Sequence, residues 1–229
     1  MTLKIIQPHQ IQRSFIGLDQ RVKKNTKDDE MNDILHVIGN GPSASYYKQG
    51  SPGKKLTCNI PHFPVPDAYA TVMVDFKMMN AINKDGVIPP RPWVLGWRPK
   101  KYMEKHQAFY MKNAGIIREF YTVLPKYVAG YTDFNCGHMA THYGINKFKP
   151  DTVHMYGFDS MFNFDLSSAT DFYLESDRGD HNNTRLTNNW RRIWEKMFEE
   201  FSDVQIVLHM DGHDNLKFKR GKNVDIKVY

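Results

Sequence analysis

The sequence predicts an α/β fold, a Rossmann-like doubly wound sheet whose strands are mostly parallel and form a single domain. Short apolar runs alternate with helical segments along the 229 residues, an order of elements that covers a parallel sheet on both faces. The first apolar run leads directly into a glycine turn and a short helix. With 41% hydrophobic residues, the chain can also bury a substantial core.

The strands of this fold are predicted from apolar runs that are bounded by turn residues. The first 30 residues are polar and weakly periodic, so they are predicted to be an extension, with a short strand at "LKII", ahead of a domain at residues 31–229. The strands of that domain are predicted at residues 34–38, 55–60, 69–75, 151–159, 204–210 and, at an edge of the sheet, 224–229.

The helices are predicted from apolar residues spaced three and four apart and from glycines at helix ends. They lie at residues 42–47, 77–86, 102–115, 138–148 and 187–201. The last is the clearest, and its aromatic stripe is predicted to be core. Residues 87–99 contain four prolines with Trp93 and Trp97, so this segment is predicted to be a loop that serves as a lid or as a packed crossover.

Composition restricts the class of partner. The formal net charge of +6 and the pI of about 9.1 favour an anionic partner, but no nucleic-acid recognition motif is present, so a phosphate-bearing small molecule is favoured over nucleic acid. No apolar stretch is long enough to span a membrane. Cys58 and Cys136 lack the spacing of a disulfide framework or a zinc site, and a reducing cytoplasm is the expected location.

The stretch "ILHVIGNGPSASYY" places an apolar strand against a glycine-rich turn. A strand that runs through such a turn into a helix directs unpaired amides and the positive end of the helix dipole at one point, which attracts phosphate. Gly39 and Gly41 permit close backbone approach, and Pro42 begins the helix at a position where its missing N–H costs nothing. Asn40 offers an amide to a ribose or base, and Ser43 offers a hydroxyl near the helix start.

The turn also satisfies the loose form of a dinucleotide fingerprint, G-x-G-x-x-A. The acidic residue that a dinucleotide site has after the second strand is replaced here by Cys58 and Asn59. The sequence therefore favours a mononucleotide. A turn needed only for chain reversal is the alternative.

These residues resemble a known family, the bacterial sialyltransferases that use CMP-sialic acid and have a single Rossmann-like domain. The resemblance covers most of the chain and rests on "VIGNGPS", on the "CN" that follows the second strand, and on "FNCGHMATHYGI" with the later "VHMYGFDSMF". It implies that residues 31–229 form a nucleotide-binding catalytic domain. The implied substrate is a nucleotide-sugar donor, with no cofactor, no metal and an acceptor that the sequence does not identify.

The resemblance also implies which residues contact the nucleotide. They are Asn40, Asn59 and the turn formed by Asn135, Cys136 and Gly137. The chain departs from the family at Cys136, where the family commonly has a hydroxyl residue. No tyrosines match the family's contacts to the leaving phosphate, and the acceptor side is unlike the family.

Glycosyl transfer requires a base that takes the proton of the acceptor hydroxyl, and groups that stabilise the departing phosphate. The resemblance points to His181 as the base, in the polar segment "GDHNNT" ahead of the last long helix. An ordinary histidine pKa of roughly 6.5 leaves a usable fraction of neutral base at cytoplasmic pH. Arg178 and Arg185 are candidates to neutralise the phosphate. A solvated histidine in a polar loop is the alternative.

Two aspartates end predicted strands at the edge where open parallel sheets bind ligands. Asp159 is included in the predicted nucleotide site, where it either holds a sugar hydroxyl or caps the following turn, and Asp75 has the same two alternatives. The "GxGPS" turn and late "GxD" strand end also resemble the pterin diphosphokinase-like proteins. That resemblance implies an ATP- and magnesium-dependent phosphotransferase with Asp75 and Asp159 as metal ligands. A nucleotide-binding module without catalysis is a third alternative.

Two further patterns resemble metal sites but are not predicted to be metal sites. His138 and His142 are four residues apart, but the glutamate of the H-E-x-x-H motif is absent, so a zinc protease is not predicted. The segment "HMDGHDN" at residues 209–215 follows the last core strand and is predicted to be a solvated turn.

Overall fold

The computed structural model of the chain describes residues 33–161, 180–212 and 221–229, and the side chains of residues 160 and 180–188 lie outside that description. The predicted extension at residues 1–30 and its short strand therefore lie outside the described residues. In the described ranges, no helix is both long enough and apolar enough to cross a bilayer.

A single parallel sheet forms the centre of the described structure. Its eight strands are β1 (Ile34–Ile38), β2 (Lys54–Cys58), β3 (Ala70–Met73), β4 (Trp93–Leu95), β5 (Ile117–Phe120), β6 (Thr152–Tyr156), β7 (Gln205–Met210) and β8 (Val224–Val228). They lie in the order β5-β4-β3-β2-β1-β6-β7-β8, and every neighbouring pair is parallel.

Five α-helices accompany the sheet in the described ranges. They are α1 (Phe76–Lys84), α2 (Trp97–Lys105), α3 (Gln107–Asn113), α4 (Cys136–Phe148) and α5 (Asp180–Glu200). Short 3-10 turns are formed by Pro42–Tyr46, Ala114–Ile116 and Asp159–Met161.

The helices cover both faces of the sheet. On one face, α4 and α5 enclose a core with β1, β2 and β6, and Gly144 of α4 lies so close to Leu35 that an added Cβ would come within 2.5 Å of its side chain. On the other face, α1 and α2 pack on β3 and β4 around Trp93 and Leu95. The prediction of a doubly wound α/β sheet is confirmed.

The order of the strands defines where a ligand site is expected. From β1 the chain adds β2 to β5 on one side, and it then returns through α4 to place β6 on the other side of β1. The carboxyl ends of β1 and β6 are therefore the point at which the winding reverses. Open parallel sheets bind ligands in the crevice outside this point.

Two strands were not predicted. Residues 87–99 were expected to be a loop, but Trp93–Leu95 form the buried strand β4 and Trp93 is only 1% exposed. Proline does not prevent this, because three of the four prolines precede the strand and Pro99 lies in the first turn of α2, where its missing N–H is not needed. The strand Ile117–Phe120 had no prediction at all.

Two helices differ from their predicted bounds. The helix expected at residues 102–115 is two helices that meet at His106, whose backbone is not helical (φ −121°, ψ 69°). The helix expected at residues 187–201 begins earlier, at Asp180. The strands at 34–38 and 224–228 and the helix stop at Gly86, which has a φ of +69°, agree with the predictions.

Candidate functional site

The turn after β1 packs directly on the turn after β6, at the point where the winding reverses. The amide of Gly39 donates to the carbonyl of Tyr156 (2.7 Å), and the amide of Gly41 donates to the carbonyl of Gly157 (2.9 Å). An added Cβ on Gly39 would lie 2.6 Å from the Gly157 oxygen, and one on Gly41 would lie 2.4 Å from a carboxylate oxygen of Asp159. Both glycines are therefore required by contact between two turns of the protein itself.

The carboxylate of Asp159 takes the donors that were predicted to bind phosphate. It is 4% exposed and accepts hydrogen bonds from the Ser43 amide (2.9 Å) and the Ser43 hydroxyl (2.8 Å). The Ser43 hydroxyl in turn accepts from the Gly157 amide (2.9 Å). Asp159 therefore binds the turn after β1, whereas its two predicted roles were to hold a sugar hydroxyl or to cap the turn that follows it. The donors of the predicted phosphate cradle at Gly39–Ser43, with Pro42 as its first helical residue, are thus already engaged within the protein, which disfavours a phosphate there.

Asn40 connects the ends of β1 and β2. Its side-chain Nδ2 donates to the backbone carbonyl of Cys58 (3.1 Å), and the backbone carbonyl of Asn40 accepts from the ring of His62. Its Oδ1 is buried, and the described residues provide no hydrogen-bond partner for it. The side-chain amide of Asn40 is thus fixed in orientation, with an oxygen that is buried and accepts no hydrogen bond from the described chain.

Asn59 lies beside it, at the end of the neighbouring strand β2. Its backbone is in the left-handed region, with a φ of 51°, a conformation that asparagine tolerates better than most residues. Its amide donates to the carbonyl of Val72 in β3 (3.0 Å), which holds the turn against the sheet. The structure thus brings the predicted pair Asn40 and Asn59 together at adjacent strand ends.

The first turn of α4 is held by contacts within the protein. The Asn135 side chain caps the helix by accepting from the His138 amide (2.9 Å), and the Cys136 thiol donates to the Val72 carbonyl (2.7 Å). An added Cβ on Gly137 would lie 2.3 Å from the ring of Phe158. The three predicted residues at this turn therefore have structural roles, while the positive end of the α4 dipole still points toward the carboxyl edge of the sheet.

His138 is a buried link between α4 and α5. Its Nδ1 accepts from the Asn135 amide (3.2 Å), so the proton is on Nε2, which donates to the Trp190 carbonyl (3.1 Å). The side chain is completely buried, and burial lowers its pKa to about 3. His142, one helical turn later, binds the Tyr121 hydroxyl instead (2.7 Å). Across the described side chains, no group of three metal-ligating residues comes together.

His181 does not lie in a polar loop ahead of the helix. It occupies the first turn of α5, because that helix already begins at Asp180. Its side chain and those of Arg178 and Arg185 lie outside the described residues, so their roles in the transfer reaction stay predictions.

Asp75 and Trp97 each lie two residues after the end of a strand, β3 and β4 respectively. Asp75 forms an ion pair with Arg98 (2.6 Å), which joins the turn after β3 to the start of α2. The ring of Trp97 stacks on Tyr131 with 4.8 Å between centroids. Trp97 therefore packs against the loop ahead of α4, whereas Trp93 lies in the core.

The segment at residues 209–215 was predicted to be a solvated turn, and this is wrong for His209. His209 is a buried residue of β7 that hydrogen-bonds to His154 (2.9 Å) and to the Tyr229 hydroxyl (2.8 Å). Burial lowers the pKa of both histidines to about 4. Asp211 accepts from the Tyr46 hydroxyl (2.8 Å). His213 and Asp214 lie outside the described residues.

A second polar cluster was not predicted. His142 lies between the hydroxyl of Tyr121 and the carboxylate of Glu200, which is 3.6 Å from its Nε2 and also accepts from Tyr127 (2.6 Å). Burial lowers the pKa of His142, and the nearby Glu200 opposes this. The cluster lines an open groove between α4, α5 and the chain after β5. Its members come from distant parts of the chain and share no motif, so no local signal in the sequence points to it.

Comparison of the chain with protein-family models, with curated proteins and with solved structures finds no match.

Proposed function

We propose that the protein is a glycosyltransferase that takes a sugar from a nucleotide-activated, CMP-linked donor and transfers it to an acceptor hydroxyl. The observation that carries the proposal is the position of Asn40 after β1, one of the two strands at the reversal point of the sheet, with Asn59 after the adjacent strand β2 at the edge where doubly wound folds bind ligands. The buried Oδ1 of Asn40 accepts no hydrogen bond from the described chain, and a ribose hydroxyl or a base amino group is the donor type that would satisfy it.

The phosphate of the donor has to bind away from the glycine turn, because Asp159 occupies that turn. The positive end of the α4 dipole, at the same edge of the sheet, is the favourable alternative for an anion. The chain's net charge of +6 supports attraction of a nucleotide without selecting its base. The proposed arrangement therefore has its base or ribose at Asn40 and Asn59 and its phosphate toward the start of α4.

His181 is the proposed general base of this reaction. It lies in the first turn of α5, and a general base has to come within hydrogen-bond distance of the acceptor hydroxyl. The proposal for His181 rests on the resemblance to CMP-sialic-acid-dependent sialyltransferases and on this position.

Thermal-shift measurements against CMP, UDP, GDP and ATP, each with and without magnesium, test the nucleotide site. A ligand at one hundred times its dissociation constant stabilises the folded state by about 2.7 kcal/mol. We expect a CMP response that does not need magnesium, and an Asn40→Ala variant should lose it. Asn80→Ala, on the exposed side of α1, is the matched control and should keep it.

Other outcomes favour the other functions. A response to ATP that needs magnesium would favour the phosphotransferase, although Asp75 and Asp159 are already engaged by Arg98 and Ser43. CMP binding without turnover of a CMP-linked sugar would favour a binding module. If transfer is measured, His181→Ala should lower kcat far more than it lowers CMP affinity, and equal losses in both would remove its proposed role.

A further inference from the structure

The two cysteines of the chain lie side by side beneath the candidate site. Cys58 ends β2 directly opposite Val72 of β3, and the Cys136 thiol at the start of α4 donates to the carbonyl of that same Val72 at 2.7 Å. Cys58 is also close enough to Cys136 to contribute to the raised pKa of that thiol. Both are free thiols, and both belong to the core between the sheet and α4.

No sequence pattern pairs these residues, because 58 and 136 are far apart and follow no spacing rule. The fold brings them together by placing the start of α4 over the ends of β2 and β3. A disulfide requires its two Cβ atoms to lie about 3.5–4.5 Å apart, and two thiols that both adjoin Val72 are placed to approach that geometry.

We propose that Cys58 and Cys136 form a redox-sensitive dithiol, in which Cys58 reacts with a peroxide and Cys136 resolves the product to a disulfide that ties β2 to α4. In the first step the Cys58 thiolate attacks one oxygen of hydrogen peroxide, which forms a sulfenic acid and releases hydroxide. In the second step the Cys136 sulfur attacks the Cys58 sulfur and releases water. Two thiols and one peroxide thus yield one disulfide and two waters, with two electrons passed to the oxidant.

The contacts of the two thiols assign their roles. The Cys136 S–H donates to the Val72 carbonyl, and burial raises the pKa of this thiol, so Cys136 holds its proton until the second step. Cys58 is therefore the thiol that reacts first. The turns that follow β2 and precede α4 adjoin the two thiols. Those turns carry Asn59 and Asn135, so closure of the disulfide constrains the edge of the sheet at which they lie.

Because the chain contains only two cysteines, thiol counting gives a direct test. The full chain is treated with hydrogen peroxide under native conditions, unfolded, and titrated for free thiols, and its digest is searched for a peptide that links Cys58 to Cys136. We expect two free thiols to fall to none, with the linked peptide in the monomer, and dithiothreitol to restore both. In Cys136→Ser, which retains a donor to the Val72 carbonyl, dimedone should label a sulfenic acid at Cys58.

Several results would overturn the proposal. The proposal is wrong if both thiols remain free after peroxide treatment of the folded wild type. It is also wrong if a disulfide forms only between chains, or if peroxide oxidises Cys136 alone. Cys58→Ser is the matched control, and its remaining Cys136 should resist dimedone labelling. If either variant fails to fold, the linked peptide and the thiol count of the wild type still decide the question.

Discussion

His138 should make the stability of the fold depend on pH through a single buried side chain. In the folded chain the ring is neutral, since its Nδ1 accepts from the Asn135 amide and its Nε2 donates to the Trp190 carbonyl. Its pKa is about 3 when folded, against the ordinary 6.5. The unfolded chain therefore binds this proton first, so stability falls as the pH is lowered from 6.5 toward 3 and levels off below that.

The size of the effect follows from the pKa difference. Each pKa unit corresponds to about 1.36 kcal/mol, so the difference between 6.5 and about 3 sets an upper bound of roughly 5 kcal/mol for this residue. His138→Ala removes this contribution. At neutral pH it should also cost about 3 kcal/mol or more, because it opens a cavity between Phe134 and Trp194 and removes the hydrogen bonds to the Asn135 amide and the Trp190 carbonyl.

Urea unfolding followed by circular dichroism, at steps of half a pH unit from pH 7.5 to 4, measures the pH-dependent contribution of His138 and the cost of its removal at neutral pH. The wild type should lose stability faster than His138→Ala as the pH falls. The slope of the unfolding free energy against pH should differ between the two proteins by the equivalent of up to one proton taken up on unfolding. His154 and His209 also have lowered pKa values, but they are present in both proteins and cancel in the comparison. His106→Ala, at an exposed position between α2 and α3, should follow the wild type. Parallel profiles for wild type and His138→Ala would refute the reasoning.

Two further substitutions test the packing of the glycine turn. Asp159→Ala leaves the amide and hydroxyl of Ser43 without their buried acceptor, so we expect a loss of about 2–4 kcal/mol in urea unfolding, and an unchanged midpoint would show that the carboxylate is not a structural cap. Gly41→Ala forces a Cβ to within 2.4 Å of that carboxylate and should destabilise the protein by about 2 kcal/mol or more. Gly115→Ala is its matched control, because an added Cβ there meets nothing within 4 Å, and equal effects of the two alanines would contradict the close contact.

The architecture was predictable because its signals are local. Apolar runs identify β1, β6 and β7, and the spacing of aromatic residues identifies the second half of α5. Strands β4 and β5 were not predicted, and the reasons differ. Strand β4 has only three residues and lies among prolines, which are typical of a loop. Strand β5, with the sequence "IREF", alternates weakly between apolar and polar residues and is only half-buried.

The candidate site was only partly predictable. The sequence placed Asn40 and Asn59 at strand ends, and a parallel sheet necessarily gathers such residues at one edge. It could not show that α5 begins at Asp180 and so includes His181, since the polar residues "DHNNTR" lack the apolar spacing that marks a helix.

The sequence by itself determined the α/β class, six of the eight strands, the glycine turn after the first strand and the edge at which polar residues collect, because each depends on residues a few positions apart. Tertiary structure alone decided what fills the turn. The carboxylate that binds Ser43 is 116 positions away, and the thiol beside Cys58 belongs to Cys136. Contacts across such separations form only when the sheet and its helices have assembled, since nothing in the local chain selects one distant partner over another.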